Sequence, residues 1–467
     1  MIGTVARFGL AAMLVLVAPL ARAGQLDPPA RAGQLDPTFS GALARAYLTN
    51  PQLAIERQRL REIDEGVPRA LSGWRPTVQL DGDAGASAVF DTIDRRHQPE
   101  RRVPQQAVLS LTQPLYTGGR VRAQVAQSEA LVRAQRAALQ ASEAAVLLEA
   151  ATAYLDVARD QAIVTLNANQ SGVLERSLHA TAQAFAAGAV TETDVAQAHA
   201  RLADQRAATA RVQGQLAASR AVFEQQVGEP PGLLSIPDTR LRLPAGRDAV
   251  LQRVEAANFD VSAARLSLQA SRAGIDIARA GLLPRISAVF EGARVKETDV
   301  QLQHQRDHIV EGRLQLSVPL YQGGAVSAET RQAKEAALRT ALQVETVLRA
   351  ARQQAMTALD TLAASQVRVA QQRVSIAANI VAERGIARQQ SVGARTVLEV
   401  LNARQELLTA RVDLATALRD EYVAGLQLLA VTGGLSAAGL DLPVPIYDPE
   451  RHYRGTRDRW YGSTPFR

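Results

Sequence analysis

The chain has no cysteine. That excludes a disulfide framework and removes the thiol on which a lipoprotein anchor is built. Past the first two dozen residues there is no apolar run of about eighteen residues, so no transmembrane helix is expected in the mature chain. Lysine is almost missing as well: Lys296 and Lys334 are the two present, and nearly all the positive charge is arginine. The arginines are interspersed with acids along helical stretches, which reads as solvated helix faces and argues against a nucleic-acid partner. There is no glycine-rich nucleotide loop, metal-ligand cluster or serine–histidine arrangement. His304 and His308 have i, i+4 spacing within a charged loop, and His179 and His199 flank a turn; both pairs read as solvated histidines. No metal, cofactor or enzyme activity is expected.

What is present starts with a leader. Arg7 gives a positive start, Phe8 to Leu20 is a short apolar run, and Ala21-Arg22-Ala23 is a small-x-small cleavage site, so residues 1–23 are expected to be a secretory signal. A membrane anchor helix is the competing reading, and the run is too short for it. An eight-residue segment at 21–28 recurs at 30–37 and leaves Ala32 as a second cleavage position. Losing Arg7 and Arg22 takes the formal net charge from +7 to +5. Export of such a chain leaves two fates, secretion or an outer-membrane barrel.

The remainder is written twice. Leu109-Ser-Leu-Thr-Gln-Pro-Leu-Tyr-Thr-Gly-Gly119 matches Leu314-Gln-Leu-Ser-Val-Pro-Leu-Tyr-Gln-Gly-Gly324 at an offset of 205, and the segment from Gly188 to Asp194 matches that from Gly393 to Glu399 at the same offset. Upstream, Asn50 pairs with Asn258 and Pro76 with Pro284 at 208. Ordered matches of this kind mark a duplication. The first repeat is taken as 24–245, with a β-hairpin at about 77–117 and long helices at about 120–227. The second is 246–434, with a hairpin at about 285–322 and helices at about 325–432. A tail, 435–467, is expected to pack irregularly or stay mobile.

Before each Pro-Leu-Tyr motif the sequence alternates with period two. Val78, Leu80, Gly82, Ala84, Ala86, Ala88 and Phe90 share one face, and Thr77, Gln79, Asp81, Asp83 and Ser87 the other. In the second repeat Val310, Gly312, Leu314, Leu316 and Val318 oppose Glu311, Arg313, Gln315 and Ser317. Small apolar against polar suits a barrel wall between lipid and water; a half-buried soluble sheet is the other reading. Charged linkers, Asp91 to Arg102 and Glu297 to His308, suit water-exposed loops. Four strands cannot close a barrel, and lipid does not tolerate unpaired edges, so the chain is expected to assemble with copies of itself.

From Arg120 to Ala187 there is no proline and a single glycine, Gly172, amid dense Ala, Gln, Glu, Arg and Leu. Ala325 to Val392 repeats that composition around Gly385. Each stretch is about 100 Å long as a continuous helix at 1.5 Å per residue. Each ends at a glycine turn and leads into a shorter helix, Thr191 to Val227 and Thr396 to Thr432, with the threonine as N-cap. A soluble coiled-coil rod explains the helices but not the alternating strands.

This order, with PLYTGG and PLYQGG after the strand pairs, resembles the TolC family of outer-membrane factors from about Thr38 to Gly434. The resemblance implies an α+β membrane protein. A homotrimer closes a twelve-stranded β-barrel in outer-membrane lipid, and the barrel continues into a long periplasmic α-helical barrel. It also implies a periplasmic adaptor (a membrane fusion protein) and an inner-membrane pump as partners. The family's barrel-to-helix junctions fall on Pro114, Tyr116, Gly118 and Gly119, and on Pro319, Tyr321, Gly323 and Gly324. Its periplasmic constriction maps onto Thr193, Asp194, Arg395 and Glu399. Two positions depart: Gln390 replaces a gate tyrosine and Asn402 a second pore carboxylate. Arg395 is expected to bridge to a neighbouring helix and hold the mouth shut. The turns at Gly188 and Gly393 are expected to meet the adaptor. The missing anchor cysteine leans toward members serving type I secretion, such as the exporter of an adenylate cyclase toxin, with an ABC exporter and a protein cargo as partners. The alternatives are a multidrug efflux duct and, in a different class, a secreted adhesive coiled-coil protein.

Overall fold

The structure, a computed structural model, describes residues 39–89, 100–237, 241, 243–244, 246–297 and 305–465. The expected leader, Phe90, His304 and most of both charged linkers lie outside them. The elements run α1 (Phe39–Thr49), α2 (Pro51–Asp64), α3 (Gly66–Leu71), β1 (Thr77–Ala84), β2 (Ser87–Val89), β3 (Glu100–Arg102), β4 (Gln105–Tyr116), α4 (Arg120–Ala186) and α5 (Glu192–Val227). The second half follows with α6 (Arg247–Ala257), α7 (Phe259–Arg279), β5 (Arg285–Glu297), β6 (Gln305–Ser317), α8 (Ala325–Ser391), α9 (Val397–Val431) and a short α10 (Arg451–Thr456). Among the described residues no helix is long and apolar enough to cross a membrane.

Four strands form one antiparallel sheet in the order β1-β4-β5-β6. The central β4–β5 pairing, from Gln105↔Lys296 to Tyr116↔Ile286, joins the two halves. Register places Leu80, Leu109, Gly292 and Val310 in one row, so the alternating apolar runs of β1 and β6 share a face, although Val108, Val289 and Ile309 fall on the other. The opposite face carries Gln79, Ser110, Glu291 and Glu311 in the adjacent row. Glu291 and Glu311 oppose each other, a like-charge pair that Arg313 relieves at 2.7 and 3.3 Å. β1 and β6 are left with unpaired edges.

Two strand boundaries differ from those expected. The alternation from Val78 to Phe90 is broken at Gly85 and Ala86, after which β2 and β3 pair as a separate ribbon. The second strand run ends at Ser317 rather than near 322, although the first runs on to Tyr116. The motif is the same; the surroundings are not. Leu115 and Tyr116 lie beside β5, with the register shifting between Pro114 and Tyr116, whereas Leu320 and Tyr321 are 93 % and 87 % exposed on an open edge. Proline has no N–H for a ladder, so Pro114 sits in the sheet only where a bulge accommodates it.

The helices α4 and α8 have 67 residues each. The shorter helices α5 and α9 reach the same height by stacking end to end on others. Asn50 caps α2 by accepting from Gln52 N, and its amide donates to the Gln226 carbonyl at 3.4 Å. Asn258 caps α7 by accepting from Val261 N, and its amide donates to the Val431 carbonyl at 2.8 Å. Each asparagine therefore satisfies the orphan N–H groups of one helix start and an orphan carbonyl of another helix end. α2 continues α5, and α7 continues α9.

Around these junctions the helices thicken into an apolar belt. In the first half Leu43, Tyr47, Leu147, Leu155 and Phe223 are buried together, with Phe39 edge-on to Tyr154 at 5.1 Å and to Tyr422 at 5.5 Å. In the second, Val250, Val254 and Val261 bury against Ala351, Ala355 and Leu362. Apart from α10 the described tail forms no helix or strand, yet it is packed. Leu435, Ala437 and Leu442 join the first cluster, and polar groups on the helices hold the backbone that follows. Ala437 N donates to Glu143 Oε1 at 2.7 Å, and Tyr447 N donates to the Tyr47 hydroxyl at 3.0 Å. Arg57 lies over both Tyr47 and Tyr447, and His452 Nδ1 meets buried Asp64 at 2.9 Å. Partners hundreds of residues away turn a Pro- and Gly-rich stretch into an ordered strap.

Replacing Asn50 or Asn258 by alanine removes both roles at once and is expected to cost about 1–2 kcal/mol at each junction. Thermal unfolding of the purified protein would show it as a lowered midpoint for each variant; an unchanged midpoint for both would mean the stacks are held by packing alone.

Candidate functional site

The two far ends of the helical hairpins are built alike. Each long helix stops at a left-handed glycine, Gly188 with φ 73° and Gly393 with φ 78°. Ala189 N reaches back to the Ala184 carbonyl at 2.8 Å, and Ala394 N to the Gln389 carbonyl at 2.9 Å. These are Schellman closures, which need a residue free to adopt positive φ. The next helix starts with a reciprocal cap. Thr191 Oγ1 accepts from Asp194 N at 3.3 Å, and Asp194 Oδ2 accepts from Thr191 N at 2.9 Å and from its hydroxyl at 2.8 Å. Thr396 and Glu399 repeat the arrangement, with Glu399 Oε2 accepting from Thr396 N at 2.8 Å. The spacing Thr-x-x-Asp and Thr-x-x-Glu was the sequence signal for this pairing, beyond the N-cap threonines themselves.

The caps set the electrostatics. The backbone N–H of Thr191, with its hydroxyl, holds Asp194 below the ordinary carboxylate range. The backbone N–H of Thr396 does the same for Glu399, assisted by Arg395. The two carboxylates are nonetheless unequal. Both bonds to Asp194 fall on Oδ2, and none of the described residues bonds Oδ1. Glu399 has both oxygens engaged, because Oε1 accepts from Arg395 Nη1 at 2.6 Å. Arg395 also reaches Gln389 at 3.2 Å, so these two contacts lie within its own hairpin. Thr193 is exposed on the first turn of α5, and Gln390 lines a groove between the two hairpins with Thr181, Val190 and Val397.

Asn402 is tied across the repeats: its Oδ1 accepts from Arg201 Nη2 at 3.0 Å, joining α9 to α5. Beside it Leu174, Leu202 and Leu401 form a small buried cluster. Arg404 Nε meets Glu383 at 3.2 Å and links α9 back to α8. Arg201, which nothing in local spacing marks, is thus a member of this end of the molecule. His179 sits 3.2 Å from Gln183 on its own helix.

At the other end, each strand enters its long helix through two left-handed glycines, Gly118 and Gly119 at φ 63° and 77°, and Gly323 and Gly324 at 61° and 84°. A side chain at Gly118 would meet Leu283 Cβ at 2.9 Å and the Ala280 carbonyl at 3.0 Å. At Gly323 the same space is open.

Residues 42–229 and 250–434 match the outer membrane efflux protein family, one match per repeat. The chain belongs to the outer membrane efflux protein family. Among relatives, it is 30 % identical over 427 residues to outer membrane efflux protein BepC of Brucella suis, covering 91 % of each chain. It is 24 % identical to outer membrane protein TolC of Escherichia coli, over 85 % of this chain and 82 % of that one. It is 28 % identical to alkaline protease secretion protein AprF of Pseudomonas aeruginosa, over 72 % and 71 %. The solved channels CusC and OprN share the fold, with TM-scores of 0.75 and 0.74 at 17 % and 23 % identity; the matches cover 85 % and 87 % of this chain and 92 % and 94 % of theirs. The family match and these solved neighbours are channel proteins of the outer membrane.

Proposed function

We propose that three copies of this chain close one outer-membrane channel, and that the channel serves a type I secretion system. In this reading an inner-membrane ABC exporter and a periplasmic adaptor feed it a protein toxin. The observation that carries closure is the pair of open edges. The internal β4–β5 pairing shows how a first-repeat edge meets a second-repeat strand, and the duplication transfers that pairing to β6 and the next copy's β1. Tyr116↔Ile286 becomes Tyr321 opposite Val78 at offsets of 205 and 208. The open space at Gly323, filled at Gly118 by Leu283, is then taken by the next copy's Arg75. Because the chain has no cysteine, Val78→Cys with Tyr321→Cys supplies the only thiols. Oxidation is expected to yield a covalent trimer on a non-reducing gel; monomer with no ladder would defeat this register.

In that assembly the glycine turns at Gly188 and Gly393 form the periplasmic tips that meet the adaptor, and Asp194 and Glu399 each become a ring of three carboxylates. Rings of acid favour cations. Glu399 is half-spent on Arg395 while Asp194 keeps a free oxygen, so Asp194→Asn is expected to lower cation selectivity more than Glu399→Gln. Both carboxylates are held below their ordinary range, so selectivity should persist as pH falls through about 4 and disappear only in stronger acid. Planar-bilayer reversal potentials measure both effects; equal effects of the two variants, or a loss of selectivity centred on the ordinary carboxylate range, would count against the rings.

The name of AprF supports a protein cargo, and the missing anchor cysteine leans the same way. BepC, an efflux protein by name, supports the second reading, a drug-efflux duct. A strain lacking the chain separates them. Loss of a large secreted polypeptide with unchanged drug susceptibility is expected; drug hypersensitivity with intact secretion would assign the efflux role.

A further inference from the structure

The chain has two tryptophans, Trp74 and Trp460, separated by almost its whole length. The fold brings them to one level. Trp74 ends the short turn before β1, and Gln113 of β4 donates to its carbonyl at 2.9 Å. The next residue, Arg75, places its guanidinium 4.9 Å over the Trp460 ring and donates to the Arg459 carbonyl at 2.6 Å. The strap is thus pinned at its far end to the residues from which the sheet rises.

Strand length fixes what that level is. β5 and β6 have 13 residues each. At about 3.3 Å per residue and a tilt near 45°, they rise roughly 30 Å, the thickness of the hydrocarbon core. No length is left over, so the helix-side ends of the strands lie at the headgroup boundary. Tryptophan and tyrosine are favoured there, since each joins an apolar ring to a polar tip.

The end of the strap presents such groups outward. His452 and Thr456 are buried, yet Trp460 is 65 % and Tyr461 90 % exposed. Arg459 folds the end back on itself, with Nε on the Tyr461 carbonyl at 3.2 Å and Nη1 on the Thr464 carbonyl at 2.6 Å. That local fold keeps the rings at the surface. The apolar face of the sheet begins just beyond, at exposed Val78 and Leu80. We infer that the carboxyl-terminal strap is an interfacial anchor, seating Trp460 and Tyr461 in the headgroup–acyl boundary of a phospholipid leaflet beside the barrel. This rests on the barrel reading above.

The two tryptophans make the test direct. Full-length Trp74→Phe protein, reconstituted as the purified oligomer in phosphatidylcholine vesicles, leaves Trp460 as the one emitter. Phosphatidylcholine brominated near the headgroup end of its acyl chains is expected to lower its emission about twofold, with aqueous iodide having little effect. Strong iodide quenching without quenching by brominated lipid would place the strap in water and overturn the anchor. Protection from both quenchers would put the ring beneath another protein surface and overturn it equally. A Leu80→Trp reporter on the Trp74→Phe, Trp460→Phe background separates the two readings. Lipid quenching at position 80 with none at Trp460 defeats the anchor alone; none at either position defeats the barrel with it.

Discussion

Among the described residues, the outer backbone edges of β1 and β6 pair with no further strand. In water such an edge is a liability; in hydrocarbon each unpaired group costs several kcal/mol and the arrangement is untenable. The duplication removes half of the problem by pairing β4 with β5. It leaves one first-repeat edge and one second-repeat edge, which are complementary because β4 and β5 already show how such edges meet. In the proposed channel, assembly with further copies would therefore follow from the sheet itself.

The same constraint reaches the helices. Every strand of the sheet continues into a helical column: β1 follows α3, β4 feeds α4, β5 follows α7 and β6 feeds α8. Two of the four columns are single helices, and two are stacks completed by α5 and α9. The weak points are the stacks, where a helix start and a helix end meet and both leave orphan backbone groups. Asn50 and Asn258 satisfy both sides with one side chain, through its carbonyl and its amide. Aspartate could cap but not donate, and serine is too short to do both. The apolar belt is centred on these stacks, where the columns most need lateral support.

Much of this was legible because it is local. Alternation gave the sheet faces, freedom from proline gave the long helices, and the glycines marked the turns that have positive φ in the structure. What stayed hidden depends on distant partners. Asn50 and Asn258 stand out as a repeat pair, but nothing near them names Gln226 or Val431. Arg201 is one arginine among many until Asn402 comes within 3.0 Å. The tail reads as loose because its own composition has no periodicity, and its order comes from Glu143, Tyr47, Arg57 and Asp64 on helices formed far earlier in the chain. At the tips, the mapped carboxylates read first as charges, while the Thr-x-x-Asp and Thr-x-x-Glu spacings carry their second role in the capping boxes.

Duplication also explains why equal motifs carry unequal duties. Pro-Leu-Tyr at 114–116 sits inside a sheet, whereas at 319–321 it lies past the end of β6; the residues are the same and the neighbours differ. At the tips the difference lies in the sequence itself. The position before the capping threonine is Val190 in the first repeat and Arg395 in the second. Valine adds no cation beside Asp194, whereas Arg395 partly neutralises Glu399. Two rings drawn from one ancestral turn would thus differ in field strength while keeping one backbone. The cap preserves the helix start in both repeats, and the residue beside it is free to set how much of the carboxylate's charge is offset by a neighbouring cation.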